Sequence, residues 1–387
     1  MPNNKGTNVF SEIGKFFKEK DATSAMNAIM DMMDALSLSE KRLFGIESRC
    51  NCKLTQLQLL GLLMLFPCFM IRNAYNYASS SLFGVCSCKS DTFYRFLSKD
   101  SHDWRKILSA VFRQLWRKVQ KNRTSGQTGP VCLMVDDTDF PKRGFQTELI
   151  GKVFSHVTHS MILGFKALFL GITDGRSQML LDFSLVGEEG KKKNYGLKQK
   201  QLEARFSKEH SDDSHTAKRI KEYDQSKIAL MMEMIRRVIK HKIHFDYILA
   251  DSWFACAEII KFVTSRHIKC HYLGMIKMGA TKCTYKGKGY TANQLVALFN
   301  KPKRGRKYSR MLGCHYITVD VKLANRDVRL FFCKRGKWAK WNGLITTNSK
   351  LNFLEAYKIY SMRWSLEVVF KDCKQNLGLG KYQMRNF

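Results

Sequence analysis

Apolar positions recur at helical spacing through the first third of the chain. "AMNAIMDMMDALS" (25–37) and "WRKILSAVFRQLWRKVQK" (104–121) set apolar residues three and four apart, and "LQLLGLLMLFPCFMI" (57–71) is apolar almost throughout. Each predicts a helix, with Ser and Asp available as caps. The last run holds Gln58, Gly61 and Pro67 and falls short of the ~20 residues that cross a bilayer, so it reads as a buried helix. Basic and aromatic residues share short helices in "SDTFYRFLSKDSHDWRK" (90–106), as in a DNA-reading module or on the solvated faces of a plain bundle.

The pattern changes after "KNRTSGQTGP" (121–130), a polar stretch without periodicity that reads as a linker. "VCLMVDDTD", "SMILGFKALFLGITDG" and "SQMLLDFSLVG" are β-rich runs, the last two parted by a turn at Asp174-Gly175, and three strands in a meander are expected. Residues 188–227 are charged and read as a surface excursion. A helix near 216–240 leads to the strand of "FDYILADSWF", then come a helix ("CAEIIKFVTSRH") and a strand ("CHYLGMIKM"). Residues 280–345 break this alternation with basic, β-rich sequence, and a helix over "YSMRWSLEVVFKDCK" (360–374) follows. At about 100° per residue, Tyr360, Arg363, Glu367 and Lys374 fall along one line of that helix, beside an apolar face of Met362, Leu366, Val369 and Cys373.

Charge narrows the partner. Lys and Arg number 66 against 33 Asp and Glu, a formal net charge of +33, in a chain of 387 residues that is 44% hydrophobic. A folded protein this positive suits a polyanion, and because the basic residues are spread over the chain, nucleic acid fits better than a membrane surface. No signal peptide is visible in residues 1–17. The 12 cysteines include "CNC" (50–52) and "CSC" (86–88), which lack the two-residue gap of zinc knuckles, so reduced cytosolic thiols are expected. "YKGKGY" argues for a turn and not for a phosphate-cradling loop.

Two strands end in carboxylates, Asp136 and Asp251, and Glu367 lies on a later helix. Adjacent parallel strands would bring the two Asp residues to one sheet edge, and a helix packed there could add the Glu. Such a trio is what a two-metal phosphoryl-transfer site needs. Asp137 and Asp139 stand close to Asp136. Strand alternation turns Asp137 the other way, which favours Asp136 and leaves Asp137 as the alternative.

"YSMRWSLEVVFKDCK" fits Tyr-x2-Arg-x3-Glu-x6-Lys, and with "MVDDTDFPKRG" and "ILADSWF" the chain from about 130 to 386 resembles a branch of bacterial insertion-sequence transposases. The resemblance implies an α/β fold. Its ribonuclease H-like mixed sheet core (126–279 and 346–387) is interrupted by a β-rich insertion (280–345) and preceded by an all-helical DNA-binding domain (1–125). It implies a DDE triad of Asp136, Asp251 and Glu367 holding two Mg²⁺ ions, which Mn²⁺ replaces, with Tyr360, Arg363 and Lys374 on DNA phosphates. The insertion would help hold the DNA end, with "KPKRGRK" supplying charge and Trp338 and Trp341 either stacking on an extruded base or packing in the core. The expected partners are double-stranded DNA, as transposon ends and target, and a second copy in a synaptic homodimer, in the bacterial cytoplasm at the nucleoid. The expected reaction is cut-and-paste transposition, in which a released 3′-OH attacks the opposite strand to form a hairpin and later attacks target DNA. A nuclease of the same fold that does not join, or a DNA-binding inhibitor of transposition, are the alternatives. The family's chains generally continue past the Glu helix, whereas this sequence stops soon after Lys374, which bears on protomer pairing.

Overall fold

The computed structural model describes residues 19–48, 51–123, 129–301, 303 and 305–387. The leader reading at 1–17, the linker centre at 124–128, Cys50, and Pro302 and Arg304 of the basic "KPKRGRK" stretch lie outside them. The chain is mixed α/β, as the patterning predicts.

The helical part comprises α1 (Glu19–Ala35), α2 (Glu40–Phe44), α3 (Gln56–Leu65), a 3₁₀ turn (Ala74–Ser79), α4 (Leu82–Val85), α5 (Ser90–Leu97) and α6 (Trp104–Lys121). Capping sets the starts: Thr55 and Gln58 form a reciprocal capping box on α3, and Asp103 accepts from the Lys106 N–H at the start of α6. The apolar run at 57–71 is buried, with Leu57, Leu59, Leu62 and Leu65 inside, but it is helical only through Leu65, and Phe66, Phe69 and Ile71 join the same core from the turns that follow. No helix among the described residues is long and apolar enough to cross a membrane.

Helix α6 joins this part to the sheet. Its first half packs Ile107 and Ala110 among the helices, and its second half puts Phe112 and Trp116 into the core under the sheet. At its start the Arg105 guanidinium is buried against Asp182, Glu222 and the Phe183 carbonyl, and Arg237 bonds the other side of Asp182 at 2.6 Å. Burial works against the Arg105 charge, but Glu222 and Asp182 outweigh it and the guanidinium is held firmly protonated.

The strands are β1 (Cys132–Pro141), β2 (Gly151–Ser155), β3 (Ser160–Thr173), β4 (Gln178–Val186), β5 (Tyr247–Ala250), β6 (His271–Ile276), β7 (Lys282–Tyr285), β8 (Lys288–Thr291), β9 (Lys307–Ser309), β10 (Cys314–Leu323), β11 (Arg326–Lys334) and β12 (Asn342–Thr346). Between them lie α7 (Gln199–Glu203), α8 (His215–Ile220), α9 (Lys227–Lys240), α10 (Ala257–Val263) and α11 (Ala292–Phe299), and after them α12 (Phe353–Ser361) and α13 (Trp364–Asn376). The described strands form one sheet ordered β2-β3-β1-β5-β6-β12-β11-β10-β7-β8, with β4 also on β3 and β9 on β10. β1, β5 and β6 run parallel and the other pairings are antiparallel.

Alternate residues of β1 feed the two faces. Leu133 and Val135 join the core beneath α9 and α10, while Cys132 and Met134 join the core with α12 and α13. β5 is buried at all four positions because both faces are covered.

Several expectations change in detail. The expected meander is present as β1-β3-β4, but "GKVFS" adds β2, which shares an edge of β3 with β4. The charged stretch 188–227 is no free excursion: it contains α7 and α8 and buries Leu197, Ala217 and Tyr223. The helix expected near 216–240 is two, α8 and α9, with Ser226 capping the second. Residues 280–345 are largely strands, as expected, yet contain α11 and continue the main sheet through β12 on β6.

Candidate active site

The register of the parallel strands sets the geometry. β1 and β5 pair from Cys132↔Tyr247 to Val135↔Ala250, and one step further puts Asp136 beside Asp251. Neighbouring strands lie ~4.8 Å apart, so the two carboxylates emerge together where the parallel pairing ends; β1 itself runs on to Pro141 against β3, so Asp136 lies within its strand and not at the strand end that the sequence suggested. Asp251 opens a tight turn: its carboxylate accepts from the Trp253 N–H at 2.8 Å, and its carbonyl accepts from the Phe254 N–H at 3.2 Å. Buried Phe254 anchors that turn in the core.

Glu367 arrives from the other side of the chain. Leu366 and Phe370 are buried, with Phe370 set 5.3 Å from the Phe169 ring, and this fixes α13 against the face of the sheet. The expected single helix over 360–374 is broken: α12 ends at Ser361 and α13 starts at Trp364. The N–H groups of Met362, Arg363, Ser365 and Leu366 each bond three residues back, at 3.0–3.1 Å. This is a 3₁₀ tightening that rotates the residues on either side relative to one another. Of the expected apolar face, Leu366 is buried, while Met362, Val369 and Cys373 are only partly so.

Arg363 links the carboxylates. One of its nitrogens donates to Asp136 Oδ2 at 2.9 Å and another to Glu367 Oε1 at 2.5 Å. Burial opposes its charge, but Tyr360, Asp136 and Glu367 together overcome this and push its pKa up. Asp136 remains under strain. Burial raises its pKa to about 6, Arg363 and the Asp137 N–H pull it down, and the charges of Asp137 and Asp251 push it up again.

The neighbouring acids have other partners. Asp137 pairs with Lys227 at 2.7 Å, and buried Lys166 pairs with Asp139 and stands 3.9 Å from Asp137. Lys374 is drawn to Asp139, while burial and Lys166 lower its pKa. Lys374 therefore faces this second cluster, whereas Arg363 and Glu367 face Asp136. Tyr360 is half-buried beside the Arg363 guanidinium; burial raises the pKa of its hydroxyl, and the Arg363 charge and hydrogen bond pull it down in part.

Trp338 and Trp341 sit on the hairpin between β11 and β12. Gly343↔Ile276 pairing puts this hairpin at the same end of the sheet as Asp251, several strands along. Trp338 is 89% exposed, while Trp341 packs partly against the core.

The donor set is all oxygen, as a hard divalent cation prefers, and Asp136 is pushed up to about 6 even with Arg363 beside it. A further positive charge is what such a carboxylate lacks, so the residues fit a metal ion in kind. Among the described residues no three acidic, His or Cys side chains yet converge closely enough to chelate one. Arg363 stands between two of the three carboxylates.

Sequence reasoning missed Lys166, Lys227 and Trp253. A lysine inside the apolar run "GFKALFLG" was the available signal for the first, because a buried ammonium demands acidic partners.

The chain belongs to the DDE superfamily endonuclease family, whose model matches residues 76–276. That range includes Asp136 and Asp251 and ends before Glu367. No curated protein matches the chain. Among solved structures it is similar to the piggyBac transposase synaptic complex with hairpin DNA, at 12% identity and a TM-score of 0.42, over 89% of this chain and 66% of that one. It is similar also to the NurA nuclease from Sulfolobus solfataricus, at 10% identity and a TM-score of 0.26, over 65% of this chain and 81% of that one. The chain thus spans just under two thirds of the length of that transposase chain.

Proposed function

We propose that this chain is a DNA transposase of the Tyr-Arg-Glu-Lys branch, with a ribonuclease H-like core, acting on the terminal repeats of its own element. The observation that carries the reading is the register placing Asp136 beside Asp251, with Glu367 joined to Asp136 through Arg363. The order β4-β3-β1-β5-β6, with β1, β5 and β6 parallel, supports the core assignment.

Asp136, Asp251 and Glu367 would hold two Mg²⁺ ions, or Mn²⁺ in their place. When bound, such ions lower the pKa of an attacking water or hydroxyl and offset charge on the leaving oxygen. Arg363, once its carboxylates are otherwise compensated, is free to turn its planar fork to a substrate phosphate, a geometry that guanidinium matches in two bonds. Tyr360 stands beside it with an unspent hydroxyl donor. Lys374 lends positive charge at the edge nearest Asp139. The basic hairpin with Trp338 and Trp341 lies at the same sheet end, where it can grip the flank of the DNA, and two copies would pair the two ends.

The test uses purified chain, Mg²⁺ and DNA carrying the gene's own flanks, with wild type compared against Glu367→Gln on a denaturing gel. The expected outcome is border-specific cutting by wild type and binding without cutting by Glu367→Gln; cutting by both would sink the assignment. A strand-transfer product separates a transposase from a nuclease that only cuts.

A further inference from the structure

The turn closing β5 holds two aromatic rings with opposite fates. Phe254 is 1% exposed, whereas Trp253 is 43% exposed, although its own N–H bonds the Asp251 carboxylate. The indole is kept in place: the Phe254 ring meets it at 5.1 Å in an edge contact, and the Lys227 ammonium stands 5.1 Å from its centroid. Lys227 is itself fixed at 2.7 Å from Asp137. A large ring left half in water gives up much of the free energy its burial would yield. A ring held there by an edge contact and a cation is prepared for a second flat partner.

We propose that Trp253 is a positioning residue that stacks on an unpaired base of the DNA strand being cut, next to the scissile bond. The inference deepens the functional reading above and rests on it. Three features converge: the exposed indole, its place two residues from Asp251, and the cation on its ring, in a molecule whose net charge of +33 draws polyanions. Every base offers a π-face, so such a platform is indifferent to sequence. It does require that the base be out of the duplex stack, so the substrate would be frayed, flipped or single-stranded at that nucleotide. Stacking there fixes the nucleotide while Arg363 and the carboxylates address its phosphate.

The experiment uses the full chain in metal-free buffer with DNA that is either blunt or ends in a short single-stranded overhang containing one 2-aminopurine, whose fluorescence changes on stacking. Stacking on one base is worth about 5- to 150-fold in affinity. Wild type should therefore prefer the overhang by that order and alter the 2-aminopurine signal. Trp253→Ala should lose both the preference and the signal change, and Trp253→Phe should recover part of each. Trp253→Ala retaining both would overturn the proposal, and so would wild type that binds DNA with no preference for the overhang, in which case the transposase reading survives. Wild type that binds neither DNA overturns both readings.

Discussion

At the scale of single residues, the chain keeps charges in company and leaves a few polar groups without any. His102 is the clearest case. It is 2% exposed, ringed by Phe44, Phe96 and Trp104, and bonded through Nε2 to Gln56 Oε1 at 2.7 Å, while its Nδ1 has no partner. Burial, aided by Lys99, lowers its pKa to about 4. Between that value and the ordinary 6.5 the unfolded chain binds the proton and the folded chain does not. Stability from this residue is therefore complete above about pH 6.5 and is lost as pH falls through about 4, by on the order of 3 kcal/mol. Urea unfolding at pH 7 and pH 4.5 should show a smaller loss for His102→Phe than for wild type; equal slopes would contradict this account. Asp136 and Asp251 could be read from the sequence because each follows an apolar run of strand length, although only Asp251 stands past the end of its strand and β1 continues through Asp136. Trp253 could not, since nothing in "ADSWFAC" says which of its two rings is the anchor. That is decided by the distant surfaces each one meets.

At the scale of elements, the site depends on how closely β5 and β6 approach. Gly274 pairs with Ala250, and a methyl group there would stand 2.4 Å from the Tyr272 hydroxyl and 2.8 Å from the Ala250 carbonyl. Gly274→Ala should therefore shift the end of β5, and Asp251 with it. The expected cost is about 1–3 kcal/mol of stability, with DNA cleavage falling more than DNA binding. Tyr272 carries a buried hydroxyl with no partner, so adding Tyr272→Phe should recover part of both losses, the remainder persisting because the Tyr272 ring carbon Cζ and the Ala250 carbonyl would each still stand 2.8 Å from the methyl, as thermal denaturation and the cleavage gel would report. An unimproved double variant would place the fault elsewhere. Helices α3 and α6 and the runs of β1, β3 and β4 were legible because their periodicity is local. The break between α12 and α13 was not, because a 3₁₀ step between residues that all remain right-handed leaves no mark in composition or spacing. Nor was β2, a five-residue strand whose identity comes from the partner it lies against.

At the scale of the whole molecule, charge and sheet continuity dominate. If DNA is held by 6–10 phosphate contacts, affinity should fall by about 10³–10⁵ between 50 and 200 mM salt. A filter-binding or anisotropy titration with the metal-free chain measures that slope, and a flat one would remove phosphate gripping from the account. The basic stretch 280–345 could be recognised as β-rich, but no local pattern states that its last strand returns to β6, because pairing across such a distance is written in neither partner alone. That return has a consequence for how the protein is made. During synthesis β6 is complete at Ile276, yet the strand that covers its outer side begins at Asn342. Until then the nascent chain carries a bare apolar strand margin, which is the kind of surface that recruits other chains. Products that end between these two points should collect in inclusion bodies to a greater extent than the full chain, as fractionation of soluble and pelleted protein would report.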